Sequence, residues 1–160
     1  MKKIPIIKKN GEVIYYDEGT LNTMIKDFFP CQSYKHSFYI SELRIEAKKK
    51  TYNVKITLKG PSGSEVSGES SGVRTDKNLP RLVGEAVANA LNPSKAISVD
   101  DFQCVNLAGK KFVFVHLSFS KNGKEDWSVG VALFQGDFLT TMIFSVIDAL
   151  LKSPMKIEWE

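Results

Sequence analysis

The sequence has few residues of the types that bind metals or form disulfides. Among 160 residues it has two cysteines, Cys31 and Cys104, and two histidines, His36 and His116. The cysteines lack the close spacing of a zinc site, and a metal site needs several converging ligands. We therefore expect no metal, no cofactor and no structural disulfide. Cys104 lies in a strand-like run and is expected to be a small buried residue.

Long hydrophobic runs and targeting segments are also absent. No run approaches the roughly 18 apolar residues that are needed to cross a bilayer. The short apolar stretch after Met1 is cut off by Lys8 and Lys9, with no small-residue cleavage site. These absences predict a soluble protein with a cytoplasmic location and no membrane partner.

No group of side chains predicts catalysis. The acidic pairs Asp100-Asp101 and Glu125-Asp126 lie at a strand edge or beside a turn, where a solvated carboxylate needs no further role. No serine or cysteine has a recognisable base partner. His116 lies in an alternating strand, opposite the apolar face, and is expected on the sheet surface. The sequence predicts a non-catalytic protein.

Charge is balanced, with a small basic excess. The chain has 22 Lys and Arg against 18 Asp and Glu, which gives a formal net charge of +4. The one dense run, Lys48-Lys49-Lys50, lies between two strand-like segments and is best interpreted as a solvated turn. Because dedicated nucleic-acid modules show a clear basic stripe, the charge is weak evidence for a polyanionic partner.

Residues 1–37 are predicted to form an extension made of a β-hairpin and a short helix. Two strand-like segments flank Asn10-Gly11, a dipeptide that favours a tight type I′ turn. Apolar residues then recur at helical spacing until Pro30, because the residue before a proline is pushed out of the helical region. The helical positions are Leu21, Met24, Ile25 and Phe28.

Residues 38–95 and 96–160 are predicted to be two units with the order strand, strand, strand, helix. The strands of the first unit are Tyr39–Ala47, Tyr52–Leu58 and Glu65–Gly72, and its helix runs from about Leu79 to Leu91. The strands of the second are Ile97–Leu107, Phe112–Ser120 and Glu125–Gln135, followed by a helix from about Asp137 to Leu151 and a tail that alternates like an edge strand, Met155–Trp159. Alternation of apolar and polar residues is typical of antiparallel sheets with one buried face.

Three pairs of segments recur at nearly constant spacing along the chain. They are Ile40-Ser41 with Ile97-Ser98, Gly63–Glu65 with Gly123–Glu125, and Val87–Leu91 with Val146–Leu150. Such spacing predicts an internal duplication. The predicted fold class is therefore α+β, with two tandem βββα units whose helices cover one face of antiparallel sheets. The sequence leaves open whether the units share a six-stranded sheet or pack back to back.

The middle strand of the second unit is apolar on both faces. Phe112 and Phe114 share a face with His116, while Val113 and Val115 take the other. This pattern predicts a strand that is covered on both sides, either by the N-terminal segment or by a partner subunit. An exposed aromatic face would instead mark an interaction surface.

The strongest candidate ligand site is the connection between the third strand and the helix of the first unit. It combines hydroxyls and cations with a helix N-terminus, where free amides and the helix dipole favour a carboxylate or a phosphate. An ordinary polar connection is the simpler alternative. The candidate residues are Ser70, Ser71, Arg74, Thr75, Lys77 and Arg81.

The duplicated unit resembles a known regulatory domain. Gly68–Gly72, followed by a helix that ends Ala86–Leu91, is similar to the leucine-sensing domain of 2-isopropylmalate synthase, over roughly residues 38–153. The resemblance implies a regulatory module. Our leading hypothesis is a non-catalytic binding module that works as a homo-oligomer or with a protein partner. It would sense a small anionic metabolite at the Ser70–Arg81 connection or between the units.

A second resemblance supports a different class of function. Residues 20–92 follow the order helix, three strands, helix of a double-stranded-RNA-binding domain. That family holds phosphates with a lysine cluster at the start of its last helix, where this chain has Arg74, Lys77 and Arg81. The resemblance implies an RNA- or nucleic-acid-binding protein that uses these cations with Lys48–Lys50, and it is the alternative hypothesis.

Overall fold

The computed structural model describes residues 3–7, 13–17, 38–60, 62–134 and 136–153. Strands β1 (Lys3–Ile7) and β2 (Val13–Asp17) form the predicted N-terminal hairpin, a two-stranded antiparallel sheet of their own. The predicted Asn10-Gly11 turn, the predicted helix at 21–28 and the predicted edge strand at 155–159 lie outside the described residues.

Two βββα units follow the hairpin, as the sequence predicts. The first consists of β3 (Tyr39–Ala47), β4 (Thr51–Lys59), β5 (Glu65–Val73) and α1 (Asn78–Leu91). The second consists of β6 (Ile97–Leu107), β7 (Lys110–Lys121), β8 (Lys124–Leu133) and α2 (Phe138–Lys152). Each set of three strands forms an antiparallel sheet in sequence order. The last strand ends at Leu133, two residues before the predicted end at Gln135.

The second unit has two tight hairpin turns that the sequence chemistry explains. Ala108 and Gly109 have φ values of 51° and 75°, and Asn122 and Gly123 have φ values of 53° and 75°. Positive φ at both central residues matches the type I′ turn, whose twist fits the flanking strands. These turns fix the register of β6, β7 and β8.

Each helix covers the inner face of its own sheet. Val54, Ile56 and Leu58 of β4 are buried, as are Val113 and Val115 of β7. Burying these side chains against the helices removes apolar surface from water, which is the main force that holds each unit together. The inner faces therefore form the core that the alternating pattern predicts.

The two units pack together through their helices, and their sheets stay separate. A side chain at Gly84 in α1 would meet Val99 of β6 and Met142 and Val146 of α2, all at 3.0–3.2 Å. A helix that is buried on nearly all sides is typical of the centre of a domain. The helix–helix contact thus joins two half-domains into one core, with the outer face of each sheet pointing away from it.

The duplication is visible in irregular features as well as in regular ones. Both first strands have a register shift, between Ile40 and Glu42 in β3 and between Val99 and Asp101 in β6. The shifts occupy equivalent places, and this register equates Ile40 with Val99. The match of Ile40 to Ile97 that the sequence suggested is therefore wrong by two residues. A two-residue motif is too short to fix an alignment, whereas a shared bulge is a structural feature that related units keep.

The N-terminus of α2 has a side-chain cap. The Asp137 carboxylate accepts a hydrogen bond from the Thr140 amide at 3.0 Å and another from the Thr140 hydroxyl. The hydroxyl bond, followed by the amide bond, lowers the pKa of Asp137 below its usual value. The cap satisfies one of the amides that a helix start leaves free.

Two further findings concern single features of the chain. Cys104 is exposed, so the expectation of a buried residue is wrong. The helices cover edge strand β6 near Val99 and Phe102, and Cys104 lies beyond that point. In the described part of the chain, no helix is both long and apolar enough to span a membrane.

Candidate interaction surface

The outer face of the first sheet is polar at its centre. On the middle strand β4, Asn53, Lys55 and Thr57 point away from α1, and their partners on β5 are Ser71, Glu69 and Ser67. On β3 the same face has Glu46, Arg44 and Glu42. Arg44, Glu46 and Glu69 are exposed on this face, whereas Thr57 is buried and its hydroxyl bonds to that of Ser67 at 2.9 Å. The face is therefore polar throughout and mostly in contact with water.

The outer face of the second sheet is apolar, and we call it the apolar outer face. Its centre is Phe112 and Phe114 of β7, as the alternation of that strand predicts. Trp127 is 63% exposed and Val129 is 38% exposed on the neighbouring strand β8. The face consists of Val105, Phe112, Phe114, His116, Trp127, Val129, Val131 and Leu133.

The outer faces of the two sheets can be compared position by position, because the two units have matching registers. The register places Lys55 opposite Glu69 and Phe114 opposite Val131, at matching points of the two sheets. In the same way Ser67 matches Val129, and Glu65 matches Trp127. The polar residue of the first sheet is replaced by an apolar one at each of these positions. The second sheet therefore differs from the first in surface chemistry and not in architecture.

A shallow hollow lies in the apolar outer face. It has a volume of about 290 Å³, and Val105, Phe114, His116 and Val129 contribute to its lining, with Asp101 and Gln103 on the β6 side. Its size suits one or two apolar side chains and is at the lower limit for a small-molecule site. The hollow is a local depression in the surface of this sheet.

His116 connects the apolar outer face to an acidic margin. Its Nδ1 lies 3.1 Å from the Asp100 carboxylate, and its ring stacks on Trp127 with the centroids 5.7 Å apart. Asp101 and Glu125 are exposed on the same face. Acidic groups at this margin disfavour a phosphate-bearing partner and favour a cationic one.

The apolar outer face was only partly predictable from the sequence. The alternation of β7 placed Phe112, Phe114 and His116 on one face, and the structure confirms that placement. The sequence analysis did not assign Trp127 to this face, and its side chain is exposed. The signal that identifies its surface position is register, because Trp127 pairs with Ser118 on the outward side of β7.

The structure divides the predicted ligand site between two faces and three elements. Ser70 points inward and donates a hydrogen bond to Glu85 at 3.4 Å, whereas Ser71 is exposed on the outer face. Arg81 pairs with Glu85 at 3.3 Å and donates to Asn78 at 2.8 Å. Sequence analysis missed Glu85, although its spacing of four residues from Arg81 on a helix is typical of an ion pair.

The first amides of α1 are already used within the protein. The amides of Asn78 and Leu79 both donate to the Thr75 carbonyl, at 3.1 and 3.2 Å, and the Thr75 hydroxyl also accepts from Asn78. Pro80 has no amide hydrogen to offer. An anion at this helix start would therefore be held by side chains such as the exposed Lys77.

Arg74 brings the connection next to the lysine run. Its amide donates to the Lys50 carbonyl and its guanidinium donates to the Lys48 carbonyl, both at 3.0 Å. The guanidinium also lies 5.6 Å from the centre of the Tyr52 ring. Two basic segments that are far apart in the sequence thus meet at one end of the first sheet.

Comparison with known proteins does not identify a family for this chain. No protein-family model matches the chain, and no curated protein matches it.

Proposed function

We propose that the protein is a cytoplasmic, non-catalytic assembly module that works as a homo-oligomer through the apolar outer face. One observation carries the proposal: two units with the same architecture have outer faces of opposite chemistry. The first unit folds with a polar outer face, so a βββα unit does not need apolar residues there. Exposing them to water is unfavourable, and an extended apolar patch on a soluble protein marks an interaction site.

The composition of the face supports a protein partner. Aromatic side chains are enriched in protein–protein interfaces, and tryptophan is prominent among the residues that dominate binding energy. Trp127 and Phe114 fit this role because they are exposed or half-buried at the surface of a rigid sheet. A sheet surface holds such residues in fixed positions, which lowers the entropy that binding costs.

Exchanging residues between the units tests this proposal. We expect the double variant Phe114→Lys and Val129→Ser, which copies the first-unit residues Lys55 and Ser67, to fold normally and to lose self-association. Its free energy of unfolding should change by less than about 1 kcal/mol, as is usual for surface substitutions. Sedimentation velocity over a range of concentrations measures the association, and thermal unfolding measures the stability.

Quenching of Trp127 fluorescence by acrylamide, in a Trp159→Phe background, provides an independent measurement. With the wild-type residues at positions 114 and 129, quenching should be weak at high protein concentration and strong on dilution. In the double variant it should be strong at every concentration. A wild-type protein that sediments as a monomer with Trp127 fully quenchable throughout would contradict the proposal.

A second candidate function, nucleic-acid binding, rests on the contacts of Arg74 with Lys48 and Lys50. These contacts bring Lys48–Lys50 and Arg74 together at one end of the first sheet. Phosphate contacts would release counterions and make binding fall with salt. Small anions such as inorganic phosphate would compete for the same cations.

The Arg74→Ala variant tests this second candidate. If Arg74 contacts a phosphate, the variant should bind a short RNA duplex more weakly, with a salt dependence reduced by roughly one counterion. Fluorescence anisotropy in a salt titration measures both quantities, and Lys95→Ala, at an exposed lysine in the link between the units, is the control. Equal binding by both variants would remove Arg74 from any nucleic-acid site.

A further inference from the structure

The turn between β3 and β4 is a fixed projection with basic side chains at its tip. The Lys48 amide donates to the Thr51 carbonyl at 2.8 Å, which closes the turn and places Lys49 and Lys50 at its tip. Arg74 holds the turn from the side of β5, through the Lys48 and Lys50 carbonyls. All three lysines are exposed, and within the described part of the chain none of their side chains forms an ion pair. The turn therefore presents cations that can bind a partner.

An exposed apolar residue lies beside these cations. Val73 pairs with Thr51 in the ladder and directly precedes Arg74, and it is 65% exposed. We call Lys48–Lys50, Val73 and Arg74 the basic turn. The basic turn thus combines positive charge with apolar surface, and both are held in place by the first sheet.

The hollow in the apolar outer face has the complementary chemistry. Val105, Phe114 and Val129 give it apolar walls, while Asp101 and Gln103 line its β6 side. None of the described residues that line it is a lysine or an arginine. A lysine side chain has an apolar stem and a charged end, so the stem can lie on apolar walls while the ammonium group stays at an acidic margin.

We propose that the basic turn of a second copy of the chain binds in the hollow of the apolar outer face, with a lysine ammonium group against Asp101. This inference rests on the proposed function and names the surface of the partner copy that occupies the face. Opposite charges speed encounter and fix the orientation of two surfaces, and burial of Val73 on the apolar outer face adds a hydrophobic contribution. Each copy has both halves of the contact, so identical chains can associate through it.

The chain's own basic turn does not occupy its own hollow. Lys48, Lys49 and Lys50 are exposed in the same structure in which the hollow is open. The ladder between Thr51 and Val73 and the hydrogen bonds of Arg74 fix the turn to the first sheet. The outer face of each sheet points away from the shared core, so the turn could reach the hollow of its own chain only if the first sheet came apart. The occupant therefore comes from another copy.

Two charge-reversal variants of the full chain test the contact. In Lys49→Glu the turn would repel Asp101, and in Asp101→Lys the hollow would repel Lys49. We expect each variant alone to self-associate at least about tenfold more weakly than the wild type, because like charges are then placed together. In an equimolar mixture every turn can meet a hollow of opposite charge on the other variant. Association of the mixture should therefore recover close to the wild-type value.

Controls separate the charge contact from general effects of the substitutions. Lys95→Glu makes the same change as Lys49→Glu at an exposed lysine in the link between the units, and its dissociation constant should equal that of the wild type. Asp101 accepts a hydrogen bond from the Phe102 amide at 2.8 Å, so Gln103→Lys is a second hollow variant that leaves this bond in place. It should also weaken association and recover it when mixed with Lys49→Glu. Sedimentation equilibrium measures the dissociation constants, and thermal unfolding checks that each variant folds.

The outcomes separate this inference from the proposed function. If the charge variants associate like the wild type while Phe114→Lys with Val129→Ser abolishes association, the basic turn is not the occupant and the assembly proposal stands. The same conclusion follows if each charge variant is weakened and the mixtures do not recover, or if Lys49→Glu weakens only the binding of a short RNA duplex. If the Phe114 and Val129 variant still associates, both proposals fail.

Discussion

Alanine in place of Gly68 or Gly130 is expected to destabilise the protein by about 3 kcal/mol, the upper part of the usual range for overpacking a core. A Cβ atom at Gly130 would lie 2.6 Å from the Ala149 amide nitrogen and closer still to the Ser145 carbonyl oxygen. A Cβ atom at Gly68 would lie 2.9 Å from the Cα atom of Ala90. Because these neighbours are helix backbone, the whole helix must move to make room.

The expected measurement is a fall in Tm of roughly 6 to 12 °C, since a domain of this size loses about 2 to 4 °C for each kcal/mol. Gly72→Ala is the matched control for Gly68→Ala. It adds the same methyl group to the same face of β5, but there the group meets the ends of the Asn78 and Leu82 side chains at 3.0 Å. Those ends can shift, so we expect a much smaller loss. Equal losses at positions 68 and 72 would show that helix α1 is not held tightly on the strand.

The glycines also show what the sequence could predict about packing. Gly68 and Gly130 both lie inside strands, and an isolated glycine in a strand suggests a bulge or a close backbone approach. That signal is present in the sequence, but it does not say which of the two explanations applies or which element approaches. The answer depends on α1 and α2 folding back onto the strands, which is a tertiary event.

The order of elements was predictable because the apolar residues of the strands and helices recur with the spacing that is typical of each element. Strict alternation in β4 and the helical stripes of α1 and α2 identify one sheet face and one helix face that must meet. Most predicted boundaries lie within two residues of those observed. Duplication strengthened each prediction, because an element found in one unit supports its counterpart in the other.

The exact alignment of the two units was less predictable. The offset that matches Ile56 to Val115 would match Gly68 to Trp127, but the register matches Gly68 to Gly130. The second hairpin of the second unit is therefore three residues longer, and the strand-to-helix connection that follows is three residues shorter. Insertions that cancel are invisible to a simple repeat search. Register is needed to equate Trp127 with Glu65, a residue that the sequence comparison had matched to Glu125.

The predicted ligand site illustrates a different limit. Composition identified hydroxyls and cations near a helix start, but composition does not reveal which of them bind each other. Glu85 neutralises Arg81, and carbonyls of the lysine run hold Arg74. Charge pairing inside a cluster depends on side-chain direction, which spacing along the chain fixes only within a helix.

Asp148→Ala is expected to cost about 2 kcal/mol, because it removes the side-chain acceptor of a partly buried backbone amide, that of Val131. Asp148 is fully buried in α2, and its Oδ2 accepts hydrogen bonds from the Val131 amide at 2.9 Å and from Lys152 at 2.6 Å. The Val131 amide belongs to strand β8, at the edge of the second sheet. The carboxylate thus accepts a hydrogen bond from a backbone amide on the edge strand, at a place where the facing helix is otherwise apolar.

The first unit has an equivalent contact, in which the helix side chain donates the hydrogen bond and the edge strand accepts it. Asn89 occupies the matching helix position and donates to the Glu69 carbonyl at 2.8 Å, where Glu69 is the residue that matches Val131. In both units a polar helix residue binds the edge strand, and this explains why asparagine and aspartate interrupt otherwise apolar helix segments. Capping an edge in this way also removes a site where another strand could pair.

Asp148→Asn separates the two roles of the carboxylate. The amide oxygen can still accept from Val131, while the ion pair with Lys152 is lost; Lys152 is partly exposed, so its ammonium group can be solvated instead. One oxygen of Asp148 is also buried without a hydrogen bond, which makes the charge itself costly to keep. We therefore expect Asp148→Asn to lose less than half as much stability as Asp148→Ala. Hydrogen exchange at the Val131 amide should accelerate only in Asp148→Ala, and equal acceleration in both variants would show that the charge, rather than the acceptor, holds this edge.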